Sequence, residues 1–569
     1  MKLIKVNKQL SISGQLEVSD MERLLQEGVE VLLCNRPDNE AADQPLFADL
    51  AAAARSYGIE AIHIAFKAGE MDATDVAEMV RLQKNGMRMH AFCRTGNRSF
   101  CLHAAAHARM GLAKEDILQQ AKKIGIAVAE IIEPYYEDAK KSMNTEQSIE
   151  SMNSTATPAY DIVIVGAGSG GIAAASSLQK RDRGLRIALI DPAEVHYYQP
   201  GWTMVGGGVF DVRTTKRQMQ ELIPSDVSWI KQAVSGFHPD ENEVELDDGS
   251  RVSYQNLIVA AGLKLDWDAI DGLKQSLGKN GVTSNYSFDH APYTWDLVKN
   301  LKQGKALFTQ PPMPIKCAGA PQKALYLSCD HWRRGSVLNN IDVDFCNAGG
   351  VLFGVSDYVP ALQSYIDRYG VNVNFFYNLE AIDGDEKIAY FKIISGEKEG
   401  EKIAKPFDMI HVCPPQRAPD FVANSKLAGE GGWLEVDQFS LRHTRFDNVW
   451  GLGDVMNTPN AKTMAAVRKQ VPVVAQNIID TLKGRPLRAG YDGYGSCPLT
   501  VEKGKIVLAE FGYGGKILPT FPSWMIKGTE PTRAAWMLKK DILPWIYWHA
   551  MLKGREWMAG AADLKKLRA

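Results

Sequence analysis

The sequence predicts an α/β fold with several domains, on three observations. Its 569 residues exceed what one hydrophobic core fills and suggest about three or four domains. Asp161-Ile-Val-Ile-Val165 is a stiff, mostly β-branched run that opens into Gly166-Ala-Gly-Ser-Gly-Gly171 and a small-residue helix, with a second strand at Arg186-Ile-Ala-Leu-Ile190. That is a βαβ unit of a parallel sheet. Residues 1–136 carry strands and helices of their own, set off by a polar, aperiodic stretch over 137–158 that reads as a flexible linker.

The glycine-rich unit organises the rest of the chain. Gly166, Gly168 and Gly171 fall on the G-x-G-x-x-G spacing. The first makes the tight turn, the second lets backbone approach a pyrophosphate, and the third lets helix pack on strand. Phosphates would sit on the free amides at the helix start. Asp191, ending the second strand, is placed for a ribose hydroxyl. A glycine-rich turn without a ligand is the plainer alternative, and the complete strand–helix–strand–acid context weighs against it.

A net charge of −2 and a pI near 6.6 give no reason to propose nucleic acid as a partner. Met1-Lys-Leu-Ile-Lys-Val6 lacks the apolar run and cleavage site of a signal peptide, and no stretch reaches the roughly eighteen apolar residues of a membrane span. The eight cysteines form neither a disulfide scaffold nor a zinc-ligand spacing, so no metal is expected. A cytoplasmic location is the expectation, with reactive cysteines as the question to ask.

In the N-terminal unit, Val29–Leu33, Ala61–Ala65 and Met87–Phe92 are expected strands, and Phe47–Tyr57 and Asp75–Lys84 helices. The last strand runs into Cys93-Arg-Thr-Gly-Asn-Arg98. A cysteine between strand end and helix start has amides and a helix dipole aimed at it, which lowers its pKa. Gly96 permits the tight loop, and Arg98 adds a positive fork beside the sulfur. Cys34 and Cys101, in apolar surroundings, are expected to be inert.

With Cys34-Asn-Arg-Pro-Asp-Asn-Glu40, this unit resembles the small bacterial domains similar to dual-specificity phosphatases, in which Asp38 would be the general acid. Those phosphatases place five residues between Cys and Arg, whereas Cys93 and Arg98 have four between them. The shorter C-R-x-G-x-R loop is similar to that of rhodanese sulfurtransferases. It implies a sulfane sulfur received on Cys93 and passed to a small thiol or sulfite. A protein or nucleotide phosphatase remains the alternative.

Beyond Asp191, Val195–Trp202 is aromatic and suited either to covering an adenine or flavin edge or to packing a core. Asn256-Leu-Ile-Val-Ala-Ala-Gly262 reads as a strand closing on glycine, and Asn448-Val-Trp-Gly-Leu-Gly-Asp454 repeats that design with an acid. In this order the three motifs resemble the two-dinucleotide-domain flavoproteins, Rossmann-like and glutathione-reductase-like in fold. The resemblance implies FAD, held by Gly166, Gly168, Gly171, Asp191, Gly262 and Asp454, with Lys462 and Thr463 near the isoalloxazine ring. It also implies a second nucleotide domain with its own glycine fingerprint. Here Lys305-Ala-Leu-Phe-Thr309 is followed by Pro311-Pro-Met-Pro-Ile-Lys-Cys317-Ala-Gly-Ala-Pro-Gln-Lys323. Prolines and a cysteine stand where NAD(P)H phosphates need glycine and free amides, so no NAD(P)H site is expected.

Lys316–Lys323, together with Tyr491-Asp-Gly-Tyr-Gly-Ser-Cys-Pro-Leu499, resembles the sulfide:quinone oxidoreductases, in the branch that includes the mitochondrial enzyme, over about 159–560. The resemblance implies sulfide and quinone as substrates and a polysulfide bridge from Cys317 to a second cysteine at the flavin. In those relatives the second cysteine directly follows the Gly-Asp of the late motif, and here that residue is Val455. Cys413, in His411-Val-Cys-Pro-Pro-Gln416, is the expected substitute. Cys329, Cys346 and Cys497 are expected to be core or surface thiols, and Lys316 the charge that keeps Cys317 a thiolate.

The tail carries Ile542–Leu552, eleven residues between Asp541 and Lys553 interrupted by Pro544, too short to span a bilayer. Its Trp545, Tyr547 and Trp548, with basic borders, suit a helix lying on a membrane surface and hence a peripheral membrane protein; packing on the protein's own core is the alternative. The expected domains are 1–136, a linker 137–158, an FAD-binding domain in two parts (159–290 and 421–500), a second nucleotide-like domain 291–420, and a docking region 501–569. A flavoprotein sensor or scaffold without turnover is the rival from another class. A homo-oligomer is compatible with either.

Overall fold

The computed structural model describes residues 3–41, 43–84, 87–136 and 159–568; the expected linker over 137–158 lies outside them. The chain divides into two compact units, Met1–Thr157 and Pro158–Ala569.

In the first unit a five-stranded sheet runs Ile4–Lys5, Leu10–Ser13, Met89–Phe92, Val31–Cys34, Glu60–His63. Every pair is parallel except the outermost, Ile4–Lys5 with Leu10–Ser13. The central strands Val31–Cys34 and Met89–Phe92 are buried at every position, because helices cover both faces of a parallel sheet. The expected helices appear as Phe47–Ser56 and Ala73–Lys84, and a third, Asn97–Arg109, follows the cysteine loop. Parallel register sets Ser13 and Cys34 opposite Phe92. Cys93 therefore emerges at the carboxyl edge of the sheet, where crossover loops gather.

The second unit has two nucleotide-type sheets. In the first, Val227–Ile230, Ile187–Ile190, Tyr160–Val165 and Arg251–Val259 run parallel, Val449–Gly451 adds to Arg251–Val259, and an antiparallel pair, Glu243–Leu246 and Val234–His238, completes seven strands. Ile162, Ile164, Leu189 and Ile258 are fully buried here, the β-branched packing that their alternation with small-residue helices requires. The second sheet is all parallel: Val282–Thr283, Met409–His411, Gly304–Gln310, Ile341–Asn347, Asn372–Phe375. A hairpin, Gly495–Glu502 with Lys505–Phe511, lies against the helix Ala320–Arg334, and the helix Met464–Leu482 packs on Ser169–Arg181.

Candidate active sites

The glycine loop of the second unit is shaped by contacts that a side chain would break. Gly166 sits at φ +100°, and a Cβ there would stand 2.6 Å from the Ala260 carbonyl oxygen. A Cβ on Gly171 would stand 1.9 Å from the Gly166 carbonyl oxygen, so the helix Ser169–Arg181 can approach its strand only through glycine. Gly168 differs: a Cβ on it meets nothing within 4 Å, and it lines a cavity with Gly262, Asp454, Lys462 and Cys317. Asp191 lies beside the loop, its carboxylate accepting from the amides of Ala167 at 2.7 Å and Ala193 at 2.8 Å.

Of the expected aromatic stretch, Tyr198 and Trp202 line the same cavity, with Thr203 and Asn285. All four carry buried polar atoms that lack a hydrogen-bond partner, a cost that native structures accept where a ligand completes the set. Lys462 donates to the carbonyls of Asp454 at 2.7 Å and Met456 at 2.6 Å. Burial pushes its pKa down to about 8, and burial raises that of Asp454. The Lys462 carbonyl in turn accepts from Cys317 N at 2.9 Å, tying the late motif to the cysteine loop.

Cys317 occupies the turn between the strand Gly304–Gln310 and the helix Ala320–Arg334. It has φ +49°, a conformation that costs a non-glycine residue about 1–3 kcal/mol and persists where surroundings impose it. Lys323, one helical turn inside, reaches its Sγ at 3.1 Å, and the Cys497 Sγ stands 3.7 Å away. The hydrogen bond from Cys497 lowers the Cys317 pKa well below a free thiol, against burial, and the Lys323 ammonium adds to it. Cys497, as donor in a buried site, moves the other way. Lys323 itself is raised by the thiolate beside it, although burial opposes this. A second lysine, Lys539, lines the cavity and donates to the Pro200 carbonyl at 3.0 Å. Burial, then the Lys323 charge, pushes it down to about 7.

Two expectations need correction here. The lysine on the thiolate is Lys323, because Lys316 turns away to Gln199 Oε1 at 2.6 Å. The sulfur in contact with Cys317 is Cys497, expected to be a plain core or surface thiol. Cys413 shares a small apolar cluster with Tyr286, Ile315 and Ala320, against which Cys317 also packs. Its thiol donates to the Pro414 carbonyl at 3.8 Å, and burial pushes it up to about 12. Sequence reasoning missed Cys497 and Lys539, whose partners are far along the chain.

The tail closes the cavity. Leu538, Lys539, Leu543 and Ile546 line it with Leu508 and Phe521, and Leu538–Ile542 form a π-helical turn, a departure frequent at functional sites. Tyr547 and Trp548 are buried, not interfacial: Tyr547 OH is bonded to Ser169 Oγ at 2.7 Å and His196 Nε2 at 2.6 Å. Trp545 is half exposed and Trp524 is 81% exposed; Met537, Ile542, Trp557 and Met558 are exposed too. Among the described residues no helix is long and apolar enough to cross a membrane.

In the N-terminal unit, Cys93 is buried and accepts from Gly96 N at 3.1 Å. Burial would raise its pKa, yet the amides of Ser99, Thr95, Gly96 and Arg98 bring it below the ordinary value. Arg98 faces Glu40, donating to both carboxylate oxygens at 2.9 and 2.8 Å and to the Phe66 carbonyl at 2.8 Å. Arg36 Nε grips the same Glu40 at 2.7 Å. Asp38 accepts from Phe47 N at 2.8 Å, at the start of a helix. Burial pushes Cys34 up to about 12 and Cys101 up to about 11.

Residues 2–110 match the family described as beta-lactamase hydrolase-like protein, phosphatase-like domain, and residues 160–306 match pyridine nucleotide-disulphide oxidoreductase. Among curated proteins, the chain is 42% identical to the mitochondrial sulfide:quinone oxidoreductase of Dictyostelium discoideum, over 69% of this chain and 86% of that one. To the mitochondrial sulfide:quinone oxidoreductase of Mus musculus it is 38% identical, over 73% and 90%. The chain belongs to the sulfide:quinone oxidoreductase family. It is accordingly a flavin-dependent oxidoreductase, preceded by a phosphatase-like domain. The solved sulfide:quinone oxidoreductase from Aquifex aeolicus shares the fold at a TM-score of 0.59 and 17% identity, covering 70% of this chain and 92% of that one. A chain in the Tetrahymena thermophila mitochondrial ATP synthase structure does so at 0.61 and 21%, covering 69% and 96%.

Proposed function

We propose that this protein oxidises sulfide to a sulfane sulfur at Cys317 with FAD as cofactor and quinone as acceptor. The observation that carries the reading is the Cys317 sulfur, 3.1 Å from the Lys323 ammonium, on the wall of the cavity that the glycine loop shapes. FAD would be held by Gly166, Gly168 and Gly171 at the pyrophosphate and by Asp191 at a ribose. Gly262, Asp454 and Lys462 would serve its remaining length. Bound there, it would supply a two-electron acceptor between sulfide and quinone. The chain's own residues do the rest. Lys323 and Lys539 attract hydrosulfide and hold Cys317 ionised, Tyr547 fixes Ser169 at the loop, and Leu508, Phe521, Leu538 and Ile546 offer an apolar seat for a quinone ring.

Exposed Trp524, Trp545 and Trp557, near Lys527, Lys540, Lys553 and Arg555, suit a peripheral seat on a membrane surface where quinone dissolves. Eight free cysteines suit a reducing compartment such as cytoplasm. Cys93 of the N-terminal unit would take the sulfane sulfur onward to a small thiol or sulfite. Two contacts favour this over phosphatase work: the Arg98 fork that a phosphoryl dianion needs is filled by Glu40, and Asp38 is used at a helix start. The test is anaerobic titration of the purified flavoprotein with sulfide, then addition of a short-chain quinone. The flavin should bleach and recover, and Cys317→Ser should abolish bleaching with flavin still bound. Bleaching in that variant at the wild-type rate would sink the reading.

A further inference from the structure

We propose that Cys497 is the second redox cysteine of this chain, closing a disulfide with Cys317 in each catalytic cycle. The proposal rests on the oxidoreductase reading above and assigns a residue that reading leaves open. Val455, the position after the late Gly-Asp, is a fully buried apolar side chain and has no redox chemistry to offer. Cys497 has both the chemistry and the place. Its sulfur lies 3.7 Å from that of Cys317, so closing to a bond of about 2.05 Å asks for a shift of about 1.7 Å.

Two features of the surroundings belong to this pair. A Cβ on Gly319 would stand 2.6 Å from Cys497 Sγ, so the loop after Cys317 makes room for that thiol by having no side chain there. Lys323 Nζ lies against Cys317 and acts on both sulfurs, which gives either one a counter-ion when it leaves as thiolate. The loop residue Cys317 lines the cavity, whereas Cys497 is anchored in the strand Gly495–Glu502 opposite Ala509. One sulfur meets substrate and the other stands behind it.

The chemistry balances as follows. Oxidation joins the Cys317 thiolate to the Cys497 thiol, releasing one proton and two electrons, which go to the quinone of the family's reaction. Hydrosulfide arriving from the cavity attacks Cys317 Sγ, forming a persulfide and breaking the disulfide, and the electron pair leaves on Cys497 beside Lys323. A small thiolate or sulfite then takes the outer sulfur with its hydrogen and frees the Cys317 thiolate. Cys497 regains its proton, and the pair is ready for the next two electrons.

The test is a sulfur map of the holoenzyme. Wild type is oxidised with a short-chain quinone, capped with N-ethylmaleimide, digested without reductant and read by mass spectrometry. The expected result is one linked pair of peptides holding Cys317 and Cys497, present also in Cys413→Ser and gone after dithiothreitol. Cys497→Ser and Cys497→Ala should keep their flavin absorbance, lose the link and leave Cys317 open to the cap. Full capping of Cys497 in oxidised wild type, or a Cys317–Cys413 link, overturns the proposal even if sulfide still bleaches the flavin. Failure of sulfide to bleach wild type would instead remove the oxidoreductase reading, whatever the link.

Discussion

Lys323 and Cys317 form an acid–base pair in which each partner favours the charged form of the other. Removing the ammonium leaves the Cys497 hydrogen bond alone to favour the thiolate against burial. Lys323→Met should therefore raise the pH at which Cys317 becomes a thiolate, measured by iodoacetamide rate or by thiolate absorbance in the absence of sulfide. Wild type should alkylate readily at pH values well below the free-thiol pKa of about 8.5, and the variant's profile should move to higher pH. The sign for stability follows from linkage. A thiol with a depressed folded pKa contributes fully above its unfolded pKa, and that contribution fades as pH falls through the folded value. An unshifted alkylation profile would show that the lysine does not set the charge. At this scale the sequence was readable only in part. The Pro-rich Lys-Cys segment announced Cys317, because nothing else explains a thiol where a phosphate turn belongs. Nothing local marks Lys323 or Lys539, since burial of a charge is a tertiary fact. Cys497 lies 180 residues from Cys317, and a cysteine in an apolar strand looks the same whether its neighbour is leucine or another thiol.

Elements were more legible, because a strand–glycine–helix pattern is dictated locally. Gly171→Ala tests how closely that element is fitted. Its methyl would have to displace the Gly166 carbonyl, so the helix must lift from the sheet. Overpacking of this kind costs about 1–3 kcal/mol, and the variant should purify with a reduced ratio of flavin to protein absorbance. Full flavin content at wild-type melting temperature would mean that the loop tolerates the shift. The tail was harder to read. Alternating Trp, Tyr and Leu in a short helix fits a membrane surface and a protein core equally well, and periodicity cannot say which ring faces which. The helix Leu543–His549 turns Tyr547 inward and Trp545 outward.

The whole molecule joins a phosphatase-like domain and an oxidoreductase in one chain. If the exposed aromatics dock it, Trp524→Glu with Trp545→Glu should lower co-flotation with phospholipid vesicles and slow reduction of long-chain quinones more than short-chain ones, with flavin content unchanged. Equal flotation of wild type and variant would count against a membrane seat. If the N-terminal unit carries sulfur onward, Cys93→Ser in the full chain should abolish thiosulfate-dependent persulfide formation and leave sulfide-driven flavin bleaching intact. Strong aryl phosphate hydrolysis, lost in the same variant, would assign that unit to phosphate chemistry instead. Composition and spacing made the two units visible, while the occupied Arg98 fork was not, because Glu40 meets it only across the folded sheet edge.

The bond between Tyr547 and Ser169 has a practical edge. Tyr547 reaches from the helix Leu543–His549 to Ser169, next to the turn where the pyrophosphate is expected, and Lys539 just before that helix lines the cavity. A protease cutting near residue 530, or a shortened gene made to obtain an easily handled protein, would remove the vessel's wall together with its handle. The product would come off the column colourless, and its inactivity would report a lost cofactor, not a lost membrane.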